Sequence, residues 1–112
     1  MERLSIGQVI LAAFPFSDLS STKLRPCLII GIAEFNDIVL CQITSNKYGS
    51  KRAVSLRKSS DFVEGSIVTD SYIRPDKIAT VDRQMIKQVL GTVTPQKQAE
   101  VKAGLKEFLE IA

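Results

Sequence analysis

The sequence contains no histidine and no tryptophan, and only two cysteines and four prolines in 112 residues. Without an imidazole there is no Ser–His–Asp triad, no Cys–His nucleophile pair and no His-ligated metal. A ribonuclease that uses two imidazoles as base and acid is excluded for the same reason. Cys27 and Cys41 lack Cys-x-x-Cys spacing. Two thiolates alone do not build a structural zinc site, so both are expected as small buried apolar residues without a disulfide. No metal or other cofactor is expected. No apolar run approaches the ~20 residues that span a bilayer. The first residues lack the basic start and long apolar stretch of a secretory signal, so the chain is expected in the cytoplasm. No Gly-x-Gly-x-x-Gly follows a strand, so dinucleotide and P-loop folds are also set aside.

What is present suits one small domain spanning residues 1–112. Hydrophobic residues make up 45% and charged residues 24%, enough apolar side chain to offset the entropy of ordering. Net charge is +3 and the sequence pI is about 9.0. The basic residues are unevenly spread: between Gln42 and Ser60 lie Lys47, Lys51, Arg52, Arg57 and Lys58 with no acid. Solvated loop charges would account for such a run, and so would a nucleic-acid partner.

The pattern along the chain is short strands, then a helix. Residues 9–13 read as a first strand and 14–24 as a loop rich in Ser, Pro and Asp. Residues 27–33 are apolar at every position, as a strand buried on both faces would be. Phe35, Asn36 and Asp37 form a tight turn into a strand at 38–44, giving a hairpin. Residues 45–52 form a basic loop around Gly49, and 53–56 a short strand. A polar stretch at 58–64 ends at Gly65. Residues 66–68 and 71–73 are a strand region broken or bent at Asp70. Residues 74–77 are turn-like and 78–81 a further strand. Asp82 caps a short helix at 83–90 that Gly91 ends. Thr94 and Pro95 start the last helix, whose Val101, Leu105, Phe108 and Leu109 make a core stripe. The sum is a small, strongly bent antiparallel sheet or barrel with a terminal helix.

The hairpin makes a geometric prediction. A turn centred near residues 35–37 sets Arg25 beside Thr44, Ser45 and Asn46, with the basic 47–52 loop starting there. A guanidinium offers a planar fork of donors matched to phosphate oxygens, and hydroxyls bond a non-bridging oxygen. An Arg ending a strand and bonding loop carbonyls is the plainer explanation of the same residues.

The sequence also resembles the PemK/MazF family of toxins. The matching segments are Gly7-Gln8-Val9-Ile10, Phe14-Pro15-Phe16-Ser17-Asp18 and Arg25-Pro26-Cys27-Leu28-Ile29-Ile30. They continue with Ile43-Thr44-Ser45, Ser66-Ile67-Val68 with Asp70, Ser71 and Arg74, and Ile78-Ala79-Thr80-Val81-Asp82. The resemblance implies a mainly β, SH3-like barrel with a C-terminal α-helix, of the kind also used by gyrase-poisoning toxins. It implies a bacterial type II toxin–antitoxin module, a homodimer, and an antitoxin with a disordered acidic tail that occupies the basic groove. It implies metal-independent, sequence-specific cleavage of single-stranded RNA such as mRNA by 2′-hydroxyl attack, arresting growth.

Arg25 and Thr44 match the family's catalytic pair, and Asp70 and Arg74 lie near a segment that carries further catalytic residues in some members. Asp70 would be the general base. RNA contacts are expected from Ser45, Asn46, Lys47, Tyr48, Lys51, Arg52 and Phe16, with Tyr48 the best stacking surface. Phe14 and Phe16 equally suit pinning their loop to the core, and that loop is the expected gate. Where some members have a histidine this chain has none. That leaves two alternatives open: a non-catalytic barrel that inhibits a protein target such as gyrase, and an inactive member that only binds RNA or antitoxin.

Overall fold

Two apolar runs joined at Asn36 set the centre of the molecule. In the computed structural model, which describes residues 3–13, 23–46 and 51–111, they are β2 (Arg25–Ile32) and β3 (Asp37–Thr44). The expectations for Phe14, Phe16, Lys47, Tyr48 and the rest of 14–22 and 47–50 lie outside the described residues. The turn between β2 and β3 has Phe35 at φ 58° and Asn36 at φ 67°, and Asp37 N–H donates to the Glu34 carbonyl at 3.1 Å. Two consecutive positive φ values make the tight hairpin turn whose twist matches that of the strands. Asn tolerates this conformation; Phe35 adopts it with its ring 89% exposed.

Around the ribbon stand β1 (Gln8–Ala12), β4 (Val54–Leu56), β5 (Phe62–Gly65), β6 (Ser71–Asp82) and β7 (Ile86–Val93). They form one curled antiparallel sheet in the order β4-β6-β3-β2-β1-β7-β5, and α1 (Pro95–Leu109) follows. The mainly β architecture with one C-terminal helix is therefore as expected.

Alternate residues of the central strands feed two cores. Ile10, Cys27, Ile29, Ile38 and Leu40 pack with Leu4, Val81 and Ile86. Val9, Leu28, Cys41 and Ile43 pack with Leu56, Ile67, Ile73, Val93 and Val101 of α1. Burial on both faces holds for Cys27, Leu28 and Ile29, whereas Ile32 is 50% exposed where the ribbon runs past its neighbours. The cysteines sit in different cores and are unbonded, and burial pushes each thiol up to about 12.

Three local expectations are corrected. The helix expected at 83–90 is one 3-10 turn, Arg83–Met85, followed by β7. Asp82 does cap it, accepting Gln84 N–H at 2.8 Å. Pairing with β1 and β5 then overrides helix propensity. Gly91 does not end a helix: it pairs with Gly65 where β5 crosses β7.

The strand expected at 66–68 is a loop, and β5 lies instead inside the polar stretch before it. Side chains bonding backbone hold that loop: Ser66 Oγ donates to the Lys58 carbonyl at 2.6 Å, and Asp70 Oδ1 accepts Lys58 N–H at 2.9 Å.

Residues 74–77 lie inside the single strand β6. Cys41 pairs with Ile78 but Gln42 with Arg74, so Pro75, Asp76 and Lys77 stand without partners across β3. Such a bulge admits a proline to a central strand. Pro75 is buried beneath α1, where a Cβ on Gly104 would lie 3.0 Å from its Cγ.

The start of α1 follows the expectation, with Thr94 Oγ1 accepting Lys97 N–H at 3.1 Å and Pro95 in the first turn. Its apolar stripe is core only in part. Val101 is buried and Leu105 half-buried, but Phe108 and Leu109 are 36% and 50% exposed. The Arg52 guanidinium stands 5.5 Å from the Phe108 ring centroid. Lys97 is buried between Asp61 at 3.5 Å and Glu100 at 3.0 Å.

Candidate active site

Arg25 is the first residue of β2 and Thr44 the last of β3. The ladder pairs Cys27 with Gln42 and Leu28 with Cys41, after a one-residue shift between Ile29 and Gly31. Extended by two residues, that register sets Arg25 directly across from Thr44, closer than the turn-centred prediction placed them. The shift is what turns a near approach into a facing pair.

Both side chains open onto one groove of about 310 Å³. Leu11 of β1, Pro26 of β2, Ile43 of β3 and Leu90 of β7 give it apolar lining. Arg25, Thr44 and Ser45 line it as well, and Ile67, Val68 and Thr69 of the stapled loop form a wall with Ser71. Thr44 Oγ1 accepts Asn46 N–H at 3.1 Å, which fixes the turn after β3 and leaves the hydroxyl proton to donate. Arg25 and Ser45 are exposed and Thr44 half-buried. A guanidinium and a hydroxyl at an open groove are a donor set for a phosphodiester.

The other described candidate residues do not line this groove. Asp70 sits between Thr69 and Ser71, yet its carboxylate is turned to Lys58 N–H. Arg74 forks onto Asp76 through Nε at 3.1 Å and Nη2 at 2.8 Å. Those bonds hold the Asp76 carboxyl below the usual carboxylate range. Lys51 and Arg52 line a different groove, about 410 Å³, against Glu100, Gly104 and Glu107 of α1. There Arg52 lies 3.9 Å from Glu107. Asn46 contributes its backbone to the Thr44 turn and is exposed. Phe16, Lys47 and Tyr48 lie outside the described residues.

Two residues escaped sequence reasoning. Tyr72 pairs with Thr44 on one side and with Ser55 on the other, which gives a row Thr44–Tyr72–Ser55 across three strands. No spacing signal could reveal it, because the β6 bulge separates Tyr72 from any regular count. Gln42 is 9% exposed between Cys27 and Arg74, and among the described residues its Oε1 has no hydrogen-bond partner. A lone buried amide in an apolar strand is the signal that marks it.

The family model of the PemK-like, MazF-like toxin of type II toxin–antitoxin systems matches residues 5–109. No curated protein matches the chain. Among solved structures it is similar to MazF from Deinococcus radiodurans, at 18% identity and a TM-score of 0.78 over 99% of this chain and 100% of that one. It is also similar to an endoribonuclease in complex with its cognate antitoxin from a mycobacterial species, at 22% identity and a TM-score of 0.74, over 100% and 98% of the two chains. Mycobacterium tuberculosis toxin MazF-mt6 is a third, at 13% identity and a TM-score of 0.73, over 94% and 98%. At these identities the structural likeness carries the fold. The family match spans nearly the whole sequence, and on it the chain belongs to the PemK-like, MazF-like toxins of type II toxin–antitoxin systems.

Proposed function

We propose that the chain is an endoribonuclease that cuts single-stranded RNA at the groove between Arg25 and Thr44. The observation that carries this reading is that both residues, at the start of β2 and the end of β3, line one open groove. The ribose 2′-hydroxyl attacks the adjacent phosphorus and gives up its proton to solvent, the P–O5′ bond breaks, and the 5′-oxygen takes up a proton from solvent. The products are a 2′,3′-cyclic phosphate and a 5′-hydroxyl, and the step needs no metal. Arg25 stabilises the charge that builds on the pentavalent phosphate, a contribution typically worth several kcal/mol. Thr44 donates its hydroxyl proton to a non-bridging oxygen. Arg25 stays protonated throughout, since a guanidinium pKa lies above ~12.

In this reading Asp70 and Arg74 act from the flanks, Asp70 by pinning the 66–70 wall and Arg74 within its pair with Asp76. Ser45 and Asn46 border the entering strand. An antitoxin with an acidic disordered tail would compete for the groove by mimicking the phosphate chain. A homodimer would present two such grooves.

One observation favours a second reading, a barrel that binds without cutting: no carboxylate or imidazole lines the Arg25 groove among the described residues. Incubation of mixed-sequence RNA with EDTA present separates the two. Cleavage to 5′-hydroxyl fragments that is lost in Arg25→Ala supports the nuclease. Growth arrest with intact RNA selects the binding barrel, and full cleavage by Arg25→Ala overturns the assignment of Arg25.

A further inference from the structure

We infer that Gln42 is a ribose contact: its amide oxygen accepts the 2′-hydroxyl of a nucleotide next to the scissile linkage, so that the protein tells RNA from DNA at that position. The inference rests on the RNA reading above and adds a residue that the reading does not use.

Strand alternation sets Gln42 on the face that carries Thr44. Cys41 and Ile43, on either side of it, pack into one core, whereas Leu40 packs into the other. Cys27 of β2 and Arg74 of β6 are its partners across the sheet. Gln42 is buried in a strand whose other buried positions are Ile38, Leu40, Cys41 and Ile43. An apolar residue would fill the place at lower cost, because a buried amide oxygen with no donor has given up water for nothing.

Both cross-strand neighbours have protons to give and direct them elsewhere. Arg74 forks onto Asp76 through Nε and Nη2, and the Cys27 thiol donates to the Arg25 carbonyl at 3.5 Å. Among the described residues Gln42 Oε1 has no hydrogen-bond partner.

An acceptor that lacks a donor narrows the chemistry of its ligand. A phosphodiester only accepts, and along a sugar–phosphate chain the 2′-hydroxyl is the group that donates. Base edges donate too, but they are too broad to reach an amide this deeply buried. Gln42 stands two residues from Thr44 along β3, about 7 Å. That separation suits the neighbouring nucleotide, so the hydroxyl is not the one that attacks.

The test uses the full chain and a short RNA that it binds, with 2′-deoxy at the mapped cut nucleotide so that affinity is read without cleavage. A second 2′-deoxy is placed at each other position in turn, and wild type is compared with Gln42→Met. For wild type, one position beside the cut should weaken binding about fivefold. Gln42→Met should be indifferent at that position and keep the wild-type response elsewhere.

Methionine fills nearly the same volume without a buried acceptor. The melting midpoint of Gln42→Met should therefore rise, while its affinity for the parent RNA falls about fivefold. A merely structural glutamine would move the two together. The inference is overturned if Gln42→Met binds RNA as wild type does, if its 2′-deoxy penalties match those of wild type at every position, or if its loss follows base exchange instead. If a bound RNA shows the Gln42-dependent penalty and no RNA is cut, the nuclease reading falls and the ribose contact stands. Cleavage by Gln42→Met with wild-type kcat/KM on every RNA leaves the nuclease and removes the contact, and a protein that binds no RNA overturns both.

Discussion

Gly65 and Gly91 meet across the β5–β7 pair with no room for a Cβ on either side. A Cβ on Gly91 would run into the Glu64 carbonyl, and one on Gly65, at φ 71°, into the Leu90 carbonyl. This contact sets how closely the short edge strand β5 lies on β7, and β5 leads directly into the 66–70 wall of the groove.

Gly91→Ala therefore forces β5 away from β7. The expected cost is about 2 kcal/mol or more, the range of backbone clashes and overpacking. Thermal unfolding should show a midpoint lower by several degrees, and residual cleavage should show a raised KM with kcat less affected. An unchanged midpoint would contradict the close approach.

Thr44 has two duties, both carried by its hydroxyl. Its Oγ1 accepts Asn46 N–H, and its proton is left to donate to a ligand in the groove. Thr44→Ser keeps both and should retain most activity. Thr44→Val loses both, and cleavage should fall about 100-fold, the scale of one lost transition-state donor. Circular dichroism should show the fold retained in each.

For Asp70 the substitutions discriminate between a base and a tether. Asp70→Asn still offers an oxygen to Lys58 N–H and should cut within a fewfold of wild type. Asp70→Ala frees the wall and should raise KM about tenfold. If Asp70→Asn and Asp70→Ala are equally inactive with KM unchanged, Asp70 takes the proton after all.

The Arg74–Asp76 pair predicts a pH dependence. The Asp76 carboxyl is held below its ordinary 3.8, first by the Arg74 hydrogen bonds. A depressed carboxylate adds stability that is present in full above its unfolded value and lost as pH falls through its folded value. The stability difference between wild type and Asp76→Asn should thus be constant from pH 7 to 5, at ~1 kcal/mol, and shrink below about pH 4. Melting curves across that range check it; a difference that grows on acidification would reverse the sign.

The parts of the fold that could be read from sequence are those where a local pattern and the tertiary contacts agree. Apolar runs flanking Asn36 identify β2 and β3, and Thr94-Pro95 identifies the start of α1. That Arg25 and Thr44 share one end of the ribbon follows from the hairpin. The rest depends on partners distant in sequence. Asp82 and Gly91 look like the ends of a helix until β1 and β5 claim the backbone of Ile86–Val93. Strand β5 buries little, with Val63 63% exposed, so it carries almost no alternation. Arg74-Pro75-Asp76-Lys77 reads as a turn because a bulge and a turn share the same residues. Residues 66–68 read as a strand in sequence, and the loop they form instead is held by tethers that reach back to Lys58.

Cys27 and Cys41 are fully buried, and burial pushes each thiol up to about 12, so neither is a thiolate at pH 7. Both native cysteines are thus silent toward maleimides and iodoacetamides while the fold is intact. A dye introduced through Val68→Cys would label that position alone, in an otherwise unaltered chain, and its emission would follow strand entry and antitoxin displacement in real time.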